Sequence, residues 1–214
     1  GTATTEAEHA AVAGQILISE STARYLPPKS TELREDGLHR LRWRFAYPPE
    51  GEGPPTPEVT QERIRTLFPH DLGDYLDDRV PDPEHKIATI GFARFSGTDA
   101  MLRAQGHAAV AAVLHETLSI FEAAMIDEGI TLLATDIDAD GGKLFMGSGV
   151  PFSTEDDEGR MLRAMRAVLD HGTPLPVQIG VNRGHVFAAE VGTLNRSAYS
   201  AMGDTTNTAA RIMS

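Results

Sequence analysis

Tyr199-Ser200-Ala201-Met202-Gly203-Asp204-Thr205-Thr206-Asn207-Thr208-Ala209-Ala210-Arg211-Ile212-Met213-Ser214 is the stretch on which the reading of this chain turns. Gly203 breaks the chain, and Asp204 suits the N-cap of the helix-tolerant run behind it. Asn207 and Arg211 stand four apart, so a helix places them on one face, a turn from each other. An amide beside a guanidinium can grip a sugar oxygen and a phosphate together. Just upstream, the run from Val177 to Gly192 reads as a strand, a tight turn at Gly184 and a second strand, with His185 capping the turn.

Working outward, Ile87–Phe95 reads as a strand and Thr98–Glu128 as one long amphipathic helix. Its inward residues are expected to be Leu102, Val110, Val113, Leu114, Leu118 and Phe121, and Gly129 ends it. Ile130–Ile137 and Lys143–Met146 read as a hairpin. Asp156–His171 reads as a second helix, with Met161, Leu162, Met165, Val168 and Leu169 inward and Gly172 and Pro174 ending it. Strand, helix, hairpin, helix, hairpin, helix is the order of an α+β, ferredoxin-like core with an antiparallel sheet.

The 214 residues suffice for one sizeable core plus an appendage, and 41% hydrophobic with 23% charged residues is ordinary for a globular protein. A net charge of −12 argues against nucleic-acid binding, which needs clustered Lys and Arg. Without cysteine there are no disulfides and no thiolate metal sites. No charged-then-apolar leader opens the chain and no apolar run of membrane-spanning length is evident, so the expectation is a cytoplasmic protein with no membrane partner.

Three segments are expected: 1–48, a strand and helix segment; 49–82, a Pro/Gly linker and helical arm; and 83–214, the main domain. In the first, Glu6–Ala13 is a short helix, Gly14–Ser19 a strand, Ser21–Leu26 a short helix and Leu38–Tyr47 a half-buried strand. Pro48–Pro57 is the linker, and helical spacing follows over Glu58–Phe68 and Asp71–Val80.

From Pro83 to Ser214 the chain resembles a class III nucleotide cyclase homology domain, the tandem type of actinobacterial multidomain signalling proteins included. Ile179-Gly180-Val181 with Gly184, and Tyr199…Gly203-Asp204…Asn207…Ala209-Ala210-Arg211, carry the resemblance. It implies attack of a ribose 3′-oxygen on the α-phosphorus of a nucleoside triphosphate, giving a 3′,5′-cyclic nucleotide and pyrophosphate. It implies catalytic roles for Asn207 and Arg211, orienting the ribose and stabilising charge on the phosphate. It also implies substrate-binding roles for Ser200, at the purine-reading position, and for Gly203 and Asp204. ATP is expected over GTP as the partner nucleotide. In the family a Gly-Gln-Ile-Leu-Val-Ser strand follows the Asn…Arg helix, whereas here Gly14–Ser19 precedes the domain. Residues 1–48 therefore resemble the tail of a preceding cyclase-like domain, or pack onto this domain and complete its sheet in permuted order.

The same resemblance exposes a defect. The family holds two divalent ions on two Asp residues, and the first position is Arg94, within Phe92-Ala93-Arg94-Phe95-Ser96-Gly97. A guanidinium repels a cation. The second position falls at Gly141-Gly142, and Gly142 has no side chain. No metal site is therefore expected on this chain; Mg or Mn would enter only with a partner domain that supplies the carboxylates. The expected function is a cyclase homology domain, inactive alone or lending its Asn/Arg half-site to another cyclase-type domain in a homo- or heterodimer. The alternative is a pseudo-cyclase that senses nucleotide or regulates an attached domain. Asp136-Ile137-Asp138-Ala139-Asp140-Gly141 opens like a calcium loop, but its twelfth position is Gly147, where a Glu is needed.

Overall fold

The computed structural model describes residues 2–42, 60, 62–63, 82–193 and 196–214, and the chain divides into two compact units, Gly1–Glu58 and Val59–Ser214. The expected linker and helical arm lie almost wholly outside the described residues.

The first unit contains α1 (Thr2–Ala10), β1 (Leu17–Ile18), α2 (Glu20–Ala23), β2 (Thr31–Leu33) and β3 (His39–Leu41). Ser19 starts α2 by accepting a hydrogen bond from the Thr22 amide. Its three short strands pair in the order β1-β3-β2, with Leu17 opposite Arg40 and Ile18 opposite His39. The strand expected either to end a preceding domain or to complete the larger sheet pairs with β3 of its own unit. Among the described residues of this unit only Ala7, Leu17 and Ser30 are buried, because a three-residue strand has few side chains to cover.

The second unit is built on a five-stranded antiparallel sheet, order β5-β6-β4-β7-β8. Its elements are β4 (Glu84–Ser96), α3 (Thr98–Gln105), α4 (His107–Glu128), β5 (Thr131–Asp138), β6 (Gly141–Ser148), α5 (Asp157–His171), β7 (Val177–Thr193), β8 (Arg196–Met202) and α6 (Asp204–Met213). Successive strand residues face opposite ways, so the sheet buries two separate cores. On one face Ala93, Leu144 and Met146 meet Phe121, Ala124 and Met125 of α4 and Met161, Ala164, Met165 and Val168 of α5. On the other, Ala88, Ile90, Val186, Ala188, Tyr199 and Ala201 meet Ala209 of α6.

Several expectations are corrected. The single long helix is two, because Gly106 at φ 81° and ψ −179° leaves the helical region between α3 and α4. Of the residues expected inward, only Phe121 is buried in α4; Leu102 and Leu118 are exposed, and Thr117, Ala124 and Met125 go inside instead. Leu162 and Leu169 are likewise exposed on α5, where Ala164 takes an inward place. By length and composition α4 alone among the described helices could cross a membrane, so the sequence contains a longer apolar stretch than its patterning suggests. Its inner side is nonetheless committed to the sheet and α5.

The largest correction concerns Gly184. It makes no turn: β7 runs unbroken for 17 residues, Gly184 pairs with Ala88 inside the ladder, and the hairpin partner is β8. His185, expected to cap a turn, is a mid-strand residue opposite Ile87. The glycines serve packing. A Cβ on Gly184 would lie 2.6 Å from Thr205 Oγ1, and one on Gly180 would collide with the Met213 amide and the Ala209 carbonyl. Bare backbone at both places lets α6 settle directly on β7.

Candidate functional site

Helix α6 is anchored by its inward stripe and by three bonds at its first turn. Thr205, Ala209 and Met213 recur every fourth residue and are buried. Asn182, between Gly180 and Gly184 on the same strand face, donates its amide to the Thr205 carbonyl at 3.1 Å. Thr205 Oγ1 donates to the His185 carbonyl at 2.8 Å, and Thr206 Oγ1 to the Ala201 carbonyl at 3.0 Å. The cap is Gly203, at φ 135° and ψ −177°, and not Asp204 as expected. Asp204 is exposed in the first turn, where its negative charge suits the helix N-terminus.

Asn207 and Arg211 lie two residues either side of buried Ala209, about 200° around the helix from it. Both are exposed, and neither side chain has a hydrogen-bond or ion-pair partner among the described residues. The structure thus brings these two together on an outward face. Ser200 sits elsewhere: half-buried and opposite Ala189, it points to the other side of β8 from Tyr199 and Ala201, which pack beneath α6.

At the far end of the sheet, the two positions expected to lack metal ligands lie side by side. Arg94 pairs with Lys143 and Phe95 with Gly142 across β4 and β6. Arg94 and Lys143 face the same way, and one carboxylate serves both: Asp138 Oδ2 is 2.8 Å from Arg94 Nε and 3.3 Å from Lys143 Nζ. Burial works against ionisation of Asp138. The Ala139 amide, the Lys143 hydrogen bond and the charges of Lys143 and Arg94 outweigh it and hold the carboxyl below its ordinary value.

A metal pair does not fit here. Arg94 puts a cation at one of the two places where a ligand is needed, and no group of three His, Asp or Glu among the described residues could hold an ion. A side chain at 142 is excluded too, since a Cβ there would lie 2.6 Å from Phe95 Cζ and 2.9 Å from the Asp136 carbonyl. The other two acidic residues of this hairpin accept backbone amides. Asp136 Oδ1 accepts the Ile137 amide at 2.8 Å. Asp140, at φ 57° in the turn between β5 and β6, accepts the amides of Gly97 at 3.1 Å and Asp99 at 2.8 Å. It thereby caps α3 from 41 residues away. The acidic turn that resembles a calcium loop is therefore a structural clasp.

Sequence reading named Asn207 and Arg211, read a loss at Arg94 and Gly142, and weighed Asp138 and Asp140 only as stand-in metal ligands; it foresaw neither the pairing of Asp138 and Lys143 beside Arg94 nor the anchoring by Asn182 and the helix cap at Asp140. That pairing could have been found only from the β4–β6 register, which joins strands with two helices and a strand between them. Asn182 had a weak local signal, a polar residue midway between two glycines of a strand.

A family model for the adenylate and guanylate cyclase catalytic domain matches residues 80–214. No curated protein matches the chain. Among solved structures, a bacterial light-regulated adenylyl cyclase superposes with a TM-score of 0.58 at 16% identity, over 71% of this chain and 48% of that one. The chain therefore spans about half the length of that relative. The catalytic core of a rhodopsin–guanylyl cyclase with converted specificity, in complex with ATPαS, gives 0.53 at 19% identity, over 62% and 74% of the two chains. The guanylyl cyclase Cya2 gives 0.51 at 20%, over 62% and 72%. Identities at this level speak for the fold; the match of the family model covers more than half of the chain. This chain belongs to the class III adenylate and guanylate cyclase catalytic domain family.

Proposed function

We propose that residues 83–214 form a cyclase-type domain of adenylate cyclase descent that lends Asn207 and Arg211 to a second cyclase-type domain and cannot complete a site of its own. The observation that carries this reading is the contrast between Asn207 and Arg211, exposed and unengaged on one helix face, and Arg94 and Lys143, which close the other end around Asp138. The partner domain would bring the carboxylates and with them Mg or Mn. From this chain, the Asn207 amide would hold a ribose oxygen, and the Arg211 guanidinium would meet phosphate oxygens as negative charge develops there. ATP is the proposed nucleotide.

The test is to incubate the purified chain with ATP and Mn²⁺, alone and mixed with a metal-competent cyclase domain whose own Asn/Arg pair has been removed. Cyclic AMP is expected only in the mixture, and Asn207→Ala or Arg211→Ala in this chain should abolish it. Product from the chain alone would refute the loss of the metal site. No product in the mixture would refute the lending of a half-site. The second reading is a pseudo-cyclase that senses nucleotide and regulates an attached domain; ATP binding without product in the mixture would favour it.

A further inference from the structure

We infer that Asn182 is a positioning residue: set between two glycines of β7, it fixes the rotation of α6 and so aims Asn207 and Arg211. The inference rests on the proposed lending of those two side chains and goes beyond it by naming what orients them.

The apolar contact between α6 and β7 carries little rotational information. The helix offers Thr205, Ala209 and Met213, and the strand meets them with bare backbone at Gly180 and Gly184. Burial of apolar surface is non-directional, so a small roll of the helix over that backbone keeps most of it. The outer face is less forgiving. A roll of about 20° carries the rim of a helix through roughly 2 Å, given its diameter with side chains.

Direction must therefore come from hydrogen bonds, and the bonds that tie α6 to the strands lie in its first turn. Two run from helix side chains, the hydroxyls of Thr205 and Thr206, to the carbonyls of His185 and Ala201. Asn182 alone among the described side chains of the strands takes hold of the helix backbone, its Nδ2 donating to the Thr205 carbonyl at 3.1 Å. In an α-helix that carbonyl also accepts the amide four residues on, and its two lone pairs serve both donors. Over Gly180, Asn182 and Gly184, which share one face of β7, only Asn182 has a side chain, half-buried and opposite Ile90 of β4. Filling that gap would be met by an apolar group with nothing to desolvate. An amide fills it and also points a donor at the helix.

Thr205 stands two residues before Asn207 and six before Arg211, so a grip on its carbonyl sets the direction of both side chains. A misplacement of about 1 Å in such a pair costs on the order of a hundredfold in rate.

Asn182→Asp keeps the shape, removes the donor and sets a carboxylate oxygen against the Thr205 carbonyl. Asn182→His keeps an N–H donor, on Nδ1, at a similar reach. Residual dipolar couplings of the α6 amides, measured by NMR on the whole chain with β4 and β6 as the internal frame, report the roll of the helix. They should change in Asn182→Asp and return in Asn182→His, with helicity by circular dichroism kept throughout. In the mixed assay, Asn182→Asp should lower kcat about tenfold or more with KM for ATP little changed, and Asn182→His should recover kcat. Unchanged α6 couplings in Asn182→Asp would overturn the inference whatever the assay gives. Altered couplings with full kcat, or a loss confined to KM, would overturn it as well. Should Asn182→Asp fail to fold, Asn182→Ala, which removes the donor without adding charge, decides by the same readings. No product from the unaltered chain in the mixture would count against the lending of the half-site, and the couplings would still decide whether Asn182 sets α6.

Discussion

The outer face of α6 and the paired ends of β4 and β6 both carry polar side chains, and this chain treats them differently. On α6 the polar pair is displayed and unspent, while every other bond near it serves to hold the helix in place. At the strand ends the polar groups are engaged with one another, and the one place where a second ligand would stand has no room for a side chain. The difference teaches that one sheet can carry both a free polar pair and a closed ion-pair cluster, in which a single carboxylate serves two cations.

The sharpest way to break this comparison is Arg211→Ala. In the mixed assay it should cost on the order of a hundredfold or more in product formation, the usual toll for a lost electrostatic stabiliser, with the melting temperature unmoved because Arg211 is exposed and makes no hydrogen bond or ion pair among the described residues. A fall in melting temperature would mean that the α6 face is structural like the other.

Next in size is Gly180→Ala, which forces a methyl group into the α6 backbone at Met213 and Ala209. Overpacking of this kind costs about 1–3 kcal/mol, or roughly 2–4 °C of melting temperature per kcal/mol for a unit of this size. A thermal melt showing no change would imply that α6 is less tightly seated than its bonds suggest.

Asp140→Ala removes the clasp on the first turn of α3, and loss of a cap costs about 1 kcal/mol. Urea unfolding midpoints would show it. Calcium should not raise the midpoint of the unaltered chain, as it would if the turn bound the ion.

The smallest effect is the pH dependence of Asp138. Its carboxyl is lowered on folding, so its contribution is present above the unfolded value of about 3.9 and is lost as pH falls through the folded value below that. Compared with Asp138→Asn, the unaltered chain should be more stable by under about 1 kcal/mol at neutral pH, and the gap should close below about pH 4. A gap that persists at pH 2 would show that the ion pairs are not its source.

Much of this was legible in the sequence, and the limits are physical. Periodicity placed β4, the β5–β6 hairpin, α5 and α6 to within a few residues, because a one-sided core imposes a regular pattern on each element. It failed on α4, which is apolar nearly all round, so that no face announces itself and the buried residues include small or polar ones such as Ala124 and Thr117. It failed again on β7. A glycine in a strand signals either a turn or a close approach, and local sequence cannot say which without knowing that α6 returns to the same strand.

The site divides along the same line. That Asn207 and Arg211 share a face, and that Arg94 and Gly142 cannot ligate a cation, follow from residue chemistry and a four-residue spacing, which are properties of the chain itself. That Asp138 binds both Arg94 and Lys143, that Asp140 caps a helix 41 residues distant, and that Gly180 and Gly184 yield to a helix required the folded molecule. Contacts between elements far apart in sequence depend on strand register and helix approach, and only the packed sheet decides those.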